Sequence, residues 1–234
     1  MSSRAQWMDN VEALKAVCNP VVVELLGHGR SPAPTDPACY TPQAYVAFFD
    51  ALREDLGVAD WFVCGQSFSA GLTMRYCLTH PDRVSRLVLI DSLPDHVRER
   101  LASPLMQRAL NTSVPAWLAR FGALFVGNRT MEAVLKEIIY DHTLVTPAVL
   151  DRSNRNRQRE DMITPLMSLR DSLPLWEQQF APRFKDVHHS TLILWGEQDR
   201  LFPPQVGRDL QTMIPGARFI LISDAGHIPQ WEQP

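Results

Sequence analysis

The stretch WFVCGQSFSAGLTMRYCLTHPDRVSRLVLIDS, residues 61–92, decides the fold. It consists of a short apolar strand, a sharp turn with two serines, an apolar helix and a second strand rich in β-branched residues. A strand, helix, strand order is typical of a parallel sheet with crossover helices. Neither strand alternates polar and apolar residues, which predicts parallel strands covered on both faces.

The same rhythm continues on both sides of this stretch. Upstream, PVVVELLGHGRS (20–31) predicts a strand that leads into a loop, and YTPQAYVAFFDALREDLG (40–57) predicts a helix with Pro42 in its first turn and Gly57 at its end. Further helices and strands are predicted in QWMDNVEALKAV (6–17, helix), STLILWG (190–196, strand), PPQVGRDLQTM (203–213, helix) and ARFILIS (217–223, strand). The sequence therefore predicts an α/β fold with a mostly parallel sheet and crossover helices.

The strand pattern stops between residues 94 and 185. This segment has apolar helical patterns interrupted by prolines and no clear strand. We expect residues 94–185 to form a helical cap, inserted into a core built from residues 1–93 and 186–234.

Composition restricts the partners and the compartment. A formal net charge of −3 without a long Lys/Arg run argues against nucleic acid. The four cysteines are neither paired as CxxC nor dense enough for a disulfide scaffold, so we expect reduced thiols. Because no signal peptide or long apolar span is visible, we expect a cytoplasmic protein that does not enter a membrane. The oligomeric state stays open.

Two serines, Ser67 and Ser69, follow the first strand in GQSFSAG. A serine hydroxyl becomes a good nucleophile when a base takes its proton, and a sharp strand-to-helix turn between small residues can expose it. Both serines have small residues two positions before and after them. Position favours Ser67, which falls at the bend, whereas Ser69 would lie half a turn inside the helix. An ordinary turn whose serines cap the helix is the alternative.

Two later loops contain candidate partners for this serine. Asp199 follows the strand TLILWG, and His227 follows the strand RFILIS. The carboxyl ends of parallel strands meet at one edge of a sheet, so the order Ser, acid, His predicts a catalytic triad there. Asp91 is a rival for the acid, while Asp224 and His28 are expected to brace their own loops.

Five segments together resemble the α/β-hydrolase fold family: VVVELLGHGRS, VCGQSFSAG, HPDRVSRLVLID, LILWGEQDRLFPP and DAGHIPQWEQP. The resemblance covers nearly the whole chain except the cap. It differs from the usual GxSxG pattern at Ser69, which replaces the second glycine. Family members also have strands before the first helix and a helix after the histidine, and we expect both to be absent from these 234 residues.

The resemblance implies a role for each site residue. Ser67 would be the nucleophile, His227 the base and Asp199 the acid, with the backbone N–H of Phe68 as one oxyanion donor. In the family the second donor comes from a loop before the first helix, which we expect to be absent from these 234 residues, so the source of that donor stays open. We expect four residues to line the substrate pocket: Gln66, Trp117, Trp176 and Trp231. No metal and no cofactor are expected.

Three functions remain possible at this point. The first is a serine hydrolase acting on a small-molecule acyl substrate, such as a carboxylic ester. The second is a carbon–carbon hydrolase of the meta-cleavage-product type, since IIYDHTLVTPAVLDRSNRNRQ and PQWEQP resemble segments of those enzymes. The functional cap arginine of that family falls on Ser153, with Arg152 one residue away, which is about 100° around a helix. The third is a catalytically weak or inactive binding protein.

Overall fold

A parallel four-stranded sheet organises the structure, a computed structural model that describes residues 3–111, 127–158 and 163–234. The strands are β1 (Trp61–Gln66), β2 (Val84–Ile90), β3 (Ser190–Gly196) and β4 (Arg218–Ile222). They lie side by side in chain order, and every neighbouring pair is parallel. The sequence predicted all four, and their carboxyl ends share one edge of the sheet.

Helices connect and flank the strands. Two precede the sheet and one joins β1 to β2: α1 (Met8–Lys15), α2 (Pro42–Asp55) and α3 (Phe68–Thr79). Between β2 and β3 the described residues contain α4 (Val97–Arg100), α5 (Pro104–Asn111), α6 (Asn128–Ile138), α7 (Pro147–Gln158) and α8 (Ile163–Gln179). The last two are α9 (Pro204–Met213) and α10 (Pro229–Glu232). Short 3₁₀ helices in the described residues cover Arg4–Gln6, Pro37–Tyr40, Pro81–Arg83, His142–Leu144 and Ala181–Asp186.

The boundaries of α2 follow the local sequence. Thr41 is its N-cap and accepts a hydrogen bond from the backbone N–H of Ala44, and Pro42 occupies the first turn, where it removes no intrahelical bond. Gly57 adopts φ 67° just after the helix, a left-handed conformation that glycine takes at low cost. These capping signals fixed both ends of the predicted helix.

The apolar core lies mainly on one side of the sheet, around α3. Residues 70–78 of α3 are all buried. Leu87, Leu89, Ile193 and Trp195 of β2 and β3 are fully buried as well. The helix that follows the serine turn is therefore clamped between the sheet and its neighbouring helices.

Two predictions about strands were wrong. Residues 20–25 form no strand, because in the described ranges this segment has no strand beside it with which to form a ladder. β1 is not covered on both faces either, since Phe62 is 60% exposed and Cys64 is also exposed. No residue of α1 is buried, so this helix does not shield that face of β1.

The described part of residues 94–185 is helical and contains no strand. One of its helices contacts the core at the sheet edge: the carbonyl of Ile138, the last residue of α6, accepts from the backbone N–H of His227 at 2.8 Å. In the described ranges, no helix has both the length and the apolar character needed to cross a membrane.

Candidate active site

The serine turn is a sharp bend between β1 and α3. Ser67 adopts φ 52° and ψ −119°, a strained backbone for a residue other than glycine, which costs about 1–3 kcal/mol. Its N–H is tied to the carbonyl of Ile90 at 2.8 Å, and its carbonyl accepts from Ala70 and Gly71 in the first turn of α3. This backbone conformation directs the Ser67 side chain away from the turn, towards the shared edge of the sheet.

Gly65 is required because the strand and the helix pass very close together. A Cβ at this position would lie 2.5 Å from the carbonyl oxygen of Ser69 and 2.6 Å from the backbone of Ala70. Neither backbone atom can move without moving the bend itself. The position two residues before Ser67 must therefore be glycine.

The side chain of Ser69 hydrogen-bonds across the serine turn to the backbone of Gln66. Its hydroxyl donates to the carbonyl of Gln66 at 2.8 Å and accepts from the N–H of the same residue at 2.9 Å. This pair of bonds explains how a serine fits where the family pattern has glycine. The Ser69 hydroxyl is engaged locally, whereas Ser67 points at a histidine.

His227 connects the serine to an aspartate. Its Nδ1 lies 2.8 Å from Oδ2 of Asp199, and its Nε2 lies 2.9 Å from Oγ of Ser67. A carboxylate only accepts, so Nδ1–H donates to Asp199 and the Nε2 lone pair faces the serine hydroxyl. The structure thus brings together the three residues predicted as a triad, with His227 in the tautomer that a base requires.

Backbone donors orient Asp199. Its Oδ1 accepts from the N–H groups of Leu201 at 2.8 Å and Phe202 at 3.2 Å, which leaves Oδ2 for the histidine. The Asp199 side chain is completely buried. The indole of Trp195 bonds to the carbonyl of Phe202 and holds this loop to the end of β3.

Glu232 fixes the histidine loop, a function that the sequence analysis missed. Its carboxylate accepts from the N–H groups of Gly226 at 2.9 Å, Tyr140 at 2.7 Å and Asp141 at 3.2 Å. Burial raises the pKa of Glu232, although these three bonds oppose the shift. An acid five residues after His227, in a short apolar helix, was the available sequence signal.

Asp91 lies next to this network and is fully buried. It follows β2 and adopts φ 39°, and its Oδ1 accepts from the N–H of Gly196 at 2.9 Å. Its Oδ2 has no hydrogen-bond partner among the residues that the structure describes. Asp91 does not take the place of Asp199, because the histidine Nδ1 is bonded to Asp199.

Asp91, Asp199 and His227 also form a group with the spacing of metal ligands. One possible ligand atom from each lies within 4.8 Å of the others. Asp199 Oδ2 and His227 Nδ1 are, however, hydrogen-bonded directly to each other, and a metal ligand nitrogen cannot carry that proton. These contacts fit a triad better than a metal site.

The expected pocket residues separate into different environments. Gln66 donates from Nε2 to the carbonyl of His227 at 2.7 Å, so it ties the two loops together. Trp176 is buried and lines a small cavity between α3 and α8. Trp231 is half-buried in α10 and is not part of that cavity lining, and Trp117 lies outside the described residues.

The cavity beside Trp176 is small in this conformation. Its volume is about 10 Å³, close to the room that one water needs. Two of its lining residues belong to the start of α3, Phe68 and Gly71, and Arg75 lies further along the same helix. This volume is too small to hold an acyl group.

Phe68 is the first residue of α3, where an N–H has no intrahelical acceptor. It directly follows Ser67, so this N–H is available near the serine hydroxyl. His28 and Asp224 remain in their own loops: the His28 ring donates to the carbonyl of Leu26 at 3.0 Å, and Asp224 is exposed with φ 56°.

The sequence is similar to those of known hydrolases. The chain is 23% identical, over 97% of its length, to a 2-hydroxy-6-oxononadienedioate/2-hydroxy-6-oxononatrienedioate hydrolase of Escherichia coli O81 (strain ED1a). It is 22% identical, over 77% of its length, to a 2-hydroxy-6-oxo-6-phenylhexa-2,4-dienoate hydrolase of Burkholderia cepacia. The alignments span 77% and 61% of those two relatives.

Solved structures show the same fold. A meta-cleavage product hydrolase from Pseudomonas fluorescens IP01 matches all of this chain and 81% of its own, with a TM-score of 0.77 at 20% identity. An esterase from Thermogutta terrifontis matches 99% of this chain and 81% of its own, with a TM-score of 0.71 at 22% identity. The family profile described as alpha/beta hydrolase fold matches residues 2–234. From this match, the parallel sheet and the serine turn at its edge, we conclude that the chain belongs to the α/β-hydrolase fold family.

Proposed function

We propose that this protein is a serine hydrolase that cleaves a carboxylic ester or a related small acyl substrate. The observation that carries the proposal is the continuous contact Ser67 Oγ, His227 Nε2, His227 Nδ1 and Asp199 Oδ2, with distances of 2.9 Å and 2.8 Å. An inactive binding protein of this fold has no need for a strained serine aimed at a correctly protonated imidazole.

The geometry defines the steps of the reaction. Ser67 Oγ attacks the acyl carbon while its proton passes to Nε2 of His227, and the Phe68 N–H receives the charge on the former carbonyl oxygen. The tetrahedral species collapses, and the leaving alcohol takes the proton from His227. A water molecule then attacks the acyl-enzyme, with His227 again as the base, and releases the acid and free Ser67. Asp199 stays ionised and stabilises the imidazolium.

Residues 94–185 act as a cap over this site. Support comes from the contacts at the sheet edge: the carbonyl of Ile138 accepts from the N–H of His227 at 2.8 Å, and Trp176 reaches the cavity beside α3. The cap governs which acyl groups enter the site.

A carbon–carbon hydrolase is the second candidate, favoured by the names of the relatives found by sequence. The cap position that carries an arginine in those enzymes is Ser153 here, which is buried, and the neighbouring Arg152 is half-buried. The lack of an arginine at that position makes us prefer ester chemistry.

A fluorophosphonate probe tests the nucleophile without knowledge of the substrate. Wild-type protein and the Ser69→Ala variant should be labelled, and Ser67→Ala should not. Short p-nitrophenyl esters and a 2-hydroxy-6-oxo-dienoate then distinguish the two chemistries. If the Ser67→Ala variant is still labelled, Ser67 is not the nucleophile. If no variant and no wild-type protein is labelled, the result favours an inactive binding protein.

A further inference from the structure

The buried carboxyl group of Asp91 has no function in the steps above, although it lies against the residues that perform them. A carboxyl oxygen of Asp91, one of Asp199 and a ring nitrogen of His227 all lie within 4.8 Å of one another. Asp91 is fully buried and Asp199 is 5% exposed, so water does not screen the two acids from each other.

Hydrogen bonding assigns the charge to Asp199. Asp199 accepts three hydrogen bonds, from two backbone N–H groups and from the imidazole. Within the described ranges Asp91 accepts one hydrogen bond, from the N–H of Gly196 to its Oδ1, and its Oδ2 has no partner there. An ionised carboxylate with an unsatisfied buried oxygen is costly, whereas a protonated one has an O–H to donate.

Of the titratable groups that face Asp91 among the described residues, the two acids favour its protonated form. Asp199 follows β3 and Glu232 belongs to α10, and both are acids that disfavour a further negative charge. His227 follows β4 and directs its Nδ1–H to Asp199. Burial first, and then the charge of Asp199, raise the pKa of Asp91 well above its ordinary value. Two close buried carboxyls commonly hold one proton between them.

The backbone also indicates a constrained position. Asp91 adopts φ 39°, and its N–H is bonded to the carbonyl of Leu194 at 3.0 Å. Its side chain and its backbone thus both attach to the end of β3, from which the Asp199 loop departs. Strained residues that persist in this way cluster at functional sites.

We propose that Asp91 and Asp199 share one proton, carried by Asp91, so that Asp91 is a positioning residue which keeps Asp199 ionised and turned towards His227. We assign the proton to Oδ2 of Asp91, because Oδ1 already accepts from the N–H of Gly196. The catalytic consequence rests on the proposed function, whereas the protonation state does not.

Infrared spectroscopy tests the protonation state directly. A protonated carboxylic acid has a C=O stretch that is well separated from that of a carboxylate. The difference spectrum of wild-type minus Asp91→Asn protein in D₂O at pH 7 should contain one such band. The matched control is Asp224→Asn, which also removes an aspartate with positive φ, but an exposed one. Its difference spectrum should lack the band, and absence of the band for Asp91→Asn overturns the proposal.

Stability against pH provides a second readout that is independent of activity. The folded protein keeps the Asp91 proton above the unfolded aspartate pKa of about 3.9, and the unfolded chain releases it. The free energy of unfolding of the wild type therefore decreases as the pH rises above that value. The Asp91→Asn variant has no such proton to release and should not show this decrease. The ratio of unfolding constants, wild type to Asp91→Asn, should therefore increase with pH above about 3.9, by up to about tenfold per pH unit for as long as the folded protein keeps the proton. A ratio that does not change with pH contradicts a shared proton.

Activity tests the positioning role. An asparagine at this position retains an acceptor for the N–H of Gly196 and a neutral donor towards Asp199. Asp91→Asn should therefore retain turnover within about threefold. Asp91→Ala removes both groups and should lower turnover by up to about 100-fold through misplacement of Asp199. Equal losses in both variants, with the infrared band present, refute the positioning role alone. Absence of ester hydrolysis in the wild type, with the band present, refutes the proposed function and leaves the shared proton standing.

Discussion

The close approach at Gly65 yields a quantitative prediction for Gly65→Ala. The new Cβ would lie 2.5 Å from the Ser69 carbonyl oxygen, whereas ordinary contact begins at 3.4 Å, so the backbone must yield by 0.9 Å. Ser67 lies between these two residues in the bend and must move by a similar amount. A displacement of about 1 Å at a reacting group costs about 100-fold in turnover. Overpacking should also cost about 1–3 kcal/mol of unfolding free energy.

The control for this prediction is Gly57→Ala. A Cβ added at Gly57 would meet no neighbouring atom within 4 Å, so the substitution is strained only by the φ of 67°. That strain should cost about 1–2 kcal/mol of stability and leave turnover of the folded protein unchanged. Ester hydrolysis per folded molecule, with the folded fraction measured by circular dichroism, separates the two variants. If Gly65→Ala turns over within about threefold of wild type, Ser67 does not depend on the bend in the way that close contact requires.

Three further predictions concern the surroundings of the bend. Asp199→Asn should lower kcat by about 10⁴-fold, because the imidazole loses the acceptor that fixes its tautomer; single-turnover kinetics check this, and a nearly silent change means that another acid is used. Arg75→Met should raise the unfolding free energy by about 1 kcal/mol in urea titrations. Arg75 is buried, its Nη1 has no hydrogen-bond partner among the described residues, and burial lowers its pKa to about 10. The stacking of its guanidinium on the Phe180 ring at 3.8 Å offsets this burial cost only in part. Destabilisation would show that the stacking outweighs the burial cost. Trp176→Ala should shift the preferred acyl length of a p-nitrophenyl ester series, and an unchanged profile places the acyl pocket elsewhere.

Local sequence patterns predicted the helices and strands whose boundaries depend on neighbouring residues. Caps, glycines and β-branched runs located α2, α3 and all four strands, and strand order then located Ser67, Asp199 and His227 at one edge. The strand predicted at residues 20–25 did not form, because a strand needs a second strand beside it to form hydrogen bonds. Local β propensity does not reveal whether such a partner is present. Coverage of β1 failed for a similar reason, since the exposure of Phe62 depends on what packs against the sheet.

The network around the histidine could be predicted only in part. The resemblance to the α/β-hydrolase family suggested Asp91 as a rival acid, but not that its carboxyl group would lie close to that of Asp199. Glu232 reaches Tyr140 across 92 positions in sequence, and no local pattern encodes such a contact. The hydroxyl of Ser69, by contrast, acts within three residues, yet its fit depends on turn geometry that residue size does not specify.

The burial of α3 determines the order in which the site is lost on denaturation. Residues 70–78 are shielded from solvent, so the amide hydrogens of this helix become accessible to deuterium only when the whole core opens. The histidine loop is attached by a few bonds to Glu232, Ile138 and Gln66, which can break one at a time. Under mild denaturant we therefore expect the loop with His227 to detach first. The protein would then pass through a folded form that retains the strained bend at Ser67 without the imidazole beside it.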